Sequence, residues 1–291
     1  MFLLPFALLL ASPNAVDLSY TWITDADLAR VAERQPSIDS LALSHTKITD
    51  VGLQHLKPLK HVRELSLYYA EYITEDGLAH LRDWKELEVL NLRGTRVTSK
   101  VFDHLIHLTG LRELDLAFTQ VDDEGWEQLA SLPKLQKLAI GGNRLTGASL
   151  PLLKLIPTLT ELDAGGIQRV DSGLWGLPLS QQNLERLGEL KQLRRLNLSG
   201  AFLNDRGTDR PGHPDALRKE LRDLSPLRKL QNLEYLDLTR QPIGPEALAT
   251  LQGMSSLKEL RLGMVPKVTP ESTAVLPNLK VIYLNGSWIR R

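Results

Sequence analysis

Seven histidines and a scatter of carboxylates are the residues from which metal or acid-base chemistry would have to be built. His55, His80 and His104 recur at one position of an internal repeat, as a ladder of ligands would. Equivalent positions on neighbouring helices lie roughly 8–10 Å apart, however, while zinc holds its nitrogens within about 2.1 Å of one ion. The histidines therefore read as a solvated or partly packed column. Asp205, Asp209, His213 and Asp215 could approach a cation, but their spacing lacks the dense alternating carboxylates and closing glutamate of a calcium loop. Gly141, Gly142, Gly165 and Gly166 follow strand residues and read as points where loops pack closely, not as a phosphate cradle. The absence of cysteine removes disulfides, thiolate ligands and a cysteine nucleophile, and leaves the redox compartment open. No nucleophile, base and orienting group fall together in the repeat register. Neither an enzyme, a cofactor nor a metal site is expected.

These side chains are carried by a repeat. Leu111 to Lys134, LRELDLAFTQVDDEGWEQLASLPK, passes from a period-2 pattern at Leu114 and Leu116 to a helical spacing at Trp126, Leu129 and Leu132. After a degenerate first coil at Val16 and Leu18, coils open at Ile38, Val62, Leu87, Leu111, Leu135, Leu159, Leu193, Leu233, Leu257 and Leu279. One strand and one short helix per coil predict an α/β leucine-rich repeat solenoid. In it a curved right-handed coil places a parallel sheet on the concave side and short helices on the convex side. Residues 13–291 are read as one such domain of about 10–11 coils, which cohere because each covers its neighbours' apolar faces.

Local signals place the parts of a coil. The paired leucines, such as Leu41 and Leu43 or Leu236 and Leu238, point into the core, and the residue between them points away. A column of Thr21, Thr46, Thr95, Thr119 and Asn143 is expected to accept hydrogen bonds from backbone donors freed where the strand turns. Thr24, Thr49, Thr74, Thr98, Asp122, Thr146 and Thr269 sit where helix N-caps are wanted, with an acid or proline following at most of them. Pro36, Pro133, Pro157 and Pro277 close the helical segments. The period stretches between Leu159 and Leu193 and between Leu193 and Leu233, which marks residues 171–183 and 204–223 as edge-loop insertions.

Lysine plus arginine (35) balances aspartate plus glutamate (35), so no global field draws the chain to nucleic acid or an anionic membrane. The apolar run Met1 to Ala11 is shorter than the roughly 20 residues a spanning helix needs. Three readings fit residues 1–12: a secretory signal, which implies an exported or cell-envelope protein; a cap on the open end of the solenoid, which implies a cytoplasmic one; or the remnant of an earlier repeat.

Thr46 to Leu56, TKITDVGLQHL, and its echoes at Thr21 to Val31 and Thr119 to Leu129, resemble the cysteine-containing and ribonuclease-inhibitor-like classes of leucine-rich repeat proteins. The half-repeat most resembles bacterial proteins of the I-T-D-x-G-L type. The resemblance covers nearly the whole chain and implies a non-enzymatic protein-binding scaffold. Threonine stands where the family usually has cysteine or asparagine, and no F-box-like module precedes the repeats.

The outward strand positions are the expected binding surface, because strand geometry fixes them and the core does not use them. The residues expected to meet a partner are Glu113, Asp115, Glu161, Asp163, Arg195, Asn197, Tyr235 and Asp237 on the strands and Trp175 on the first insertion. Glu113, Asp115, Glu161 and Asp163 predict a moderately negative patch, partly offset by Lys137, that takes a basic segment of a protein partner, with Tyr235 and Trp175 as apolar anchors. An envelope protein holding a carbohydrate or matrix polymer is the alternative, and the chain is expected to act as a monomer.

Overall fold

The computed structural model describes residues 14–170, 173–201 and 221–291. Residues 1–12, the candidate cation ligands Asp205, Asp209, His213 and Asp215, and most of the 204–223 insertion lie outside the described residues. Two compact units divide after Ala139.

In the first unit, β1(Ala15–Asp17), β2(Ser40–Ala42), β3(Glu64–Ser66), β4(Val89–Asn91), β5(Glu113–Asp115) and β6(Lys137–Ala139) pair in parallel and in chain order. Their central residues are in register, with Leu41 opposite Leu65, Leu65 opposite Leu90 and Leu90 opposite Leu114. Each of these leucines is buried. Crossovers run through α1(Asp25–Arg34), α2(Asp50–His55), α3(Glu75–Leu78), α4(Phe102–Leu105) and a 3-10 helix at Trp126–Ser131.

The I-T-D-x-G-L half-repeat has a physical explanation in this unit. Thr24, Thr49, Thr74 and Thr98 cap their helical segments as expected, each hydroxyl accepting from a backbone amide. The acid after each threonine does more than face a helix dipole. Asp25 accepts from the amide and hydroxyl of Thr49 at 2.8 and 2.7 Å, and Asp50 does the same for Thr74 at 2.9 and 2.7 Å. Glu75 accepts from Thr98 at 3.2 and 2.9 Å. Each of these three coils thus fastens the cap of the next. A Cβ on Gly52 would come within 2.5 Å of Asp25 Oδ1, and one on Gly77 would overlap Asp50 Oδ1. Glycine follows the threonine-acid pair because the previous coil's aspartate occupies that space.

The second unit pairs β7(Glu161–Asp163) with β10(Arg195–Asn197), and β10 with β11(Tyr235–Asp237), then β12(Glu259–Leu262) and β13(Val281–Leu284), all in parallel. The sheet ends in an antiparallel partner of β13, β14(Ser287–Arg290). Between β7 and β10 lie the hairpin β8(Gln168–Val170) and β9(Gly173–Trp175), then α5(Gln181–Gly188), and α6(Pro245–Ala249) follows β11. The remaining helical segments, Leu150–Leu155, Ser225–Lys229 and Glu271–Val275, are 3-10 helices. A Cβ on Gly141 would overlap the carbonyl oxygen of Gly165, the close loop packing expected of these glycines.

Three expectations are corrected here. The hydroxyls of Thr21, Thr46, Thr95 and Thr119 donate to the carbonyls of Leu18, Leu43, Leu92 and Leu116 at 2.6–2.7 Å, instead of accepting from amides. The carbonyl where the strand turns has room for a second donor, and a hydroxyl three residues on supplies it, at Leu18 and Leu92 beside the amide of the same threonine. The 171–183 insertion is not wholly a surface loop: it supplies β9, buries Leu177 and Leu179 completely or nearly so, and ends in the first turn of α5. Several expected α-helices are instead 3-10 turns, because a crossover of a few residues is too short for more than one or two tighter turns.

Candidate interaction surfaces

The residues expected to meet a partner fall in both units, Glu113 and Asp115 in the first and the others in the second, and each set has its own surroundings. Asp115 is 1% exposed. Its Oδ1 accepts from the amide of Ala117 at 2.8 Å, and its Oδ2 meets the Arg93 guanidinium at 3.3 Å. Glu113 pairs with Lys137 at 2.8 Å. In the second unit Glu161 meets Arg195 at 3.7 Å, and the side chains of Asp163, Asn197 and Asp237 accept from the amides of Gly165, Ser199 and Thr239 at 2.8–2.9 Å.

One geometric cause links the aspartates and asparagines. At the end of these strands the chain turns, and a short carbonyl-bearing side chain reaches the amide two residues on. Asp17 and Asn91 do the same for Ser19 and Arg93. At Asp17, Asn91, Asp115, Asp163, Asn197 and Asp237 the second outward position is therefore a turn cap, a duty that the reading of these positions as free of the core did not give them. The acids at the first outward position are balanced by cations from neighbouring strands. Lys137 pairs directly with Glu113 and Arg195 with Glu161, so both first-position acids of the moderately negative patch read from the sequence meet cations.

The second unit instead carries a row of stacked planar side chains on this face. Arg195 lies 4.0 Å from the ring centre of Tyr235, and Arg261 lies 5.2 Å from those of Tyr235 and Trp288. The Trp288 ring packs 5.0 Å from Tyr283. Arg261 is held from the other side by Glu259 at 3.0 Å. Tyr235 is only 2% exposed, and its hydroxyl donates to Asp237 at 3.2 Å. Burial, reinforced by the Asp237 carboxylate, pushes its phenol well above the ordinary tyrosine range. Tyr235 is thus the floor beneath two guanidiniums and not an open anchor, while Trp288 is 53% exposed at the end of the row. Trp175 belongs to β9 and not to a loop, and Arg144 lies over its ring at 5.5 Å.

The first unit concentrates its aromatic side chains on the loop edge, at the residue after each strand's turn. Tyr20, His45, Tyr69 and Phe118 occupy that position at φ of 60, 55, 53 and 57°, with Gly94 among them at 74°. Left-handed backbone costs a residue with a Cβ roughly 1–2 kcal/mol; at the same position in the second unit Gly142, Gly166 and Gly200 avoid that cost, while Arg240 and Met264 accept it at φ of 64 and 57°. Tyr20 stacks on His45 at 4.6 Å and 18°, and His45 on Tyr69 at 5.3 Å and 1°. Tyr68 closes edge-on against both His45 and Tyr69. Aligning the coils two residues beyond the second strand leucine displays Tyr20, His45, Tyr69 and Phe118 in one column, a signal that attention to the strand positions alone passes over.

The Arg82 guanidinium donates to His104 Nδ1 at 3.0 Å, and burial together with that cation lowers the imidazole's pKa. Among the described residues no group of three or more His, Asp or Glu side chains could hold a metal ion, and no helix is long and apolar enough to cross a membrane.

A family model described as a leucine-rich repeat matches residues 35–57 and 107–130. No curated protein matches the chain by sequence. Among solved structures, an internalin (inlF) of Listeria monocytogenes superposes with a TM-score of 0.57 at 21% identity, over 91% of this chain and 78% of that one. An internalin C2 of the same species gives 0.49 at 23% identity, over 82% and 84%.

Proposed function

Because this chain is a leucine-rich repeat protein, we propose that it acts as a non-enzymatic scaffold whose outward strand face in the second unit binds a protein partner. The observation that carries this reading is the row Arg195, Tyr235, Arg261 and Trp288. Arginine, tyrosine and tryptophan are the side chains that most often dominate protein interfaces, and they do so best when already held in place. Here each guanidinium is fixed between a ring and a carboxylate, so little rotamer freedom remains to be lost on binding. Glu161, Asn197 and Asp237 border the row, and Trp175 belongs to the same unit.

The test is a pull-down from native lysate with the immobilised full chain, compared with an Arg261→Ala/Trp288→Ala variant. Both replaced side chains reach solvent, so the fold should persist in a thermal melt. A specific protein retained by the natural chain should be held at least about tenfold more weakly by the variant, the loss expected when interface anchors are truncated. An unchanged set of retained proteins would rule this face out. Reversing Asp115 or Asp163 is a poorer test, because each caps a strand turn.

A further inference from the structure

We propose that the loop edge of the first unit is a second docking surface, shaped for an extended acidic segment of a partner protein. The inference rests on reading the chain as a protein-binding scaffold and adds a site of different chemistry. Beside the stacked Tyr20, His45 and Tyr69 runs another row in which aromatic and cationic residues alternate from coil to coil: Trp22, Lys47, Tyr72 and Arg96. The Lys47 ammonium lies 4.8 Å from the Trp22 ring centre, and the Arg96 guanidinium 5.6 Å from that of Tyr72. Among the described residues neither cation has a carboxylate within ion-pair distance, and exposed Glu71, next to Tyr72 in the chain, pairs with neither. Trp22 is 82% exposed, Tyr20 73% and Tyr72 46%, an unusual cost to leave on a surface without a partner.

The arrangement of the rings selects the class of partner. Aromatic faces are electronegative and their edges electropositive. Tyr20, His45 and Tyr69 cover one another's faces, while Lys47 and Arg96 cover faces of Trp22 and Tyr72, and Arg93 covers one of Phe118 at 4.6 Å. The edges of these rings and the two cations left without a carboxylate complement carboxylates and other oxygen-rich anions, which a neutral sugar does not supply.

Spacing narrows the partner further. Lys47 and Arg96 belong to coils two apart, and strands at ~4.8 Å put them about 10 Å from each other. A polyproline II chain rises ~3.1 Å per residue with three residues per turn, so every third side chain lies on one face at ~9.3 Å intervals. An acidic residue at every third position of such a segment would meet both cations, and prolines between them would pack on the aromatic edges. Polyproline segments docking on aromatic-lined surfaces are a recurring mode of recognition.

The test uses a fluorescein-labelled peptide of repeated Glu-Pro-Pro units, its Gln-Pro-Pro counterpart and a neutral β-glucan oligosaccharide, with binding followed by anisotropy. The acidic peptide should bind the natural full chain, weaken as salt rises, and lose about tenfold or more with the Lys47→Glu/Arg96→Glu variant. It should bind the Arg261→Ala/Trp288→Ala variant as well as the natural chain, which separates this site from the sheet face. Thermal melts of both variants check that the exposed replacements leave the fold intact. Equal binding of the glutamine peptide, undiminished binding by the charge-reversed variant, no binding of the acidic peptide, or binding of the glucan alone would each overturn the proposal. None of these results would bear on the pull-down with the sheet-face variant.

Discussion

In the first unit the conspicuous side chains stand on the loop edge, at Tyr20, His45, Tyr69 and Phe118. In the second, that backbone position passes through Gly142, Gly166 and Gly200 and then Arg240 and Met264, none of them aromatic, and the stacked side chains stand on the sheet face. The units also differ in how their coils are fastened. Aspartate or glutamate of one coil grips threonine of the next in the first unit. In the second, Asn183 spans the carbonyls of Thr146 and Pro178, and Gln241 spans those of Leu198 and Ala201. The buried leucines are alike in both. A repeat therefore separates two tasks: the core positions stay constant, and the columns outside them are free to carry different chemistry from one stretch to the next.

The largest expected effect tests whether the cores are equivalent. Leu116→Ala in the first unit and Leu238→Ala in the second should each cost ~2–5 kcal/mol in urea unfolding, since both side chains are fully buried and both truncations leave a cavity. A loss several times larger in one unit would break the comparison at its base and show that the units are not cored alike.

A smaller effect sharpens the account of the clasp. Gly77→Ala should cost about 1–3 kcal/mol by forcing a Cβ against the Asp50 carboxylate and the Leu53 side chain. Asp50→Ala should cost about 1–3 kcal/mol by leaving the Thr74 donors without their partner. The double substitution should cost less than the two losses added together, because removing the carboxylate makes room for the methyl group. Strict additivity would show that the glycine answers to Leu53 alone.

The smallest effect is in pH. Burial pushes the Glu75 carboxyl up, but hydrogen bonds from its own amide and from the Thr98 hydroxyl and amide outweigh this and hold it below the ordinary value of 4.5. A folded value below the unfolded one gives stability that is complete above the unfolded value and is lost as pH falls through the folded one. Glu75→Gln should therefore flatten the acid limb of stability against pH, by under about 1 kcal/mol because the carboxyl is only part-buried and solvent screens it. An unaltered acid limb would mean that this clasp contributes nothing through its charge.

Much of the fold is legible in the sequence because its causes are local and repeated. Leucine pairs such as Leu41 and Leu43 mark strands, Thr24, Thr49, Thr74 and Thr98 mark helix starts, and Pro36 and Pro157 lie just past helix ends. Averaged over many coils, such signals leave little choice of architecture. The interaction surfaces are less legible, because a residue's place in the register says which way it points and not what waits there. Asp115 and Glu113 both read as outward acids, yet one is a buried turn cap and the other is paired with Lys137.

What the sequence determined by itself is the repeat: its period, its core positions and the residues that start and stop each element, all set by contacts within about one coil of chain. Only the tertiary structure decided which polar groups meet across coils. The carboxylate of Asp25 reaches Thr49, the guanidinium of Arg93 reaches Asp115, and Arg195 and Arg261 close on Tyr235 from strands on either side of it. Those partners are 22–40 residues apart in the chain and side by side in space. Charge and ring contacts act over a few ångströms, so their outcome depends on which coils stack and in what register, and on the side chains each neighbour supplies.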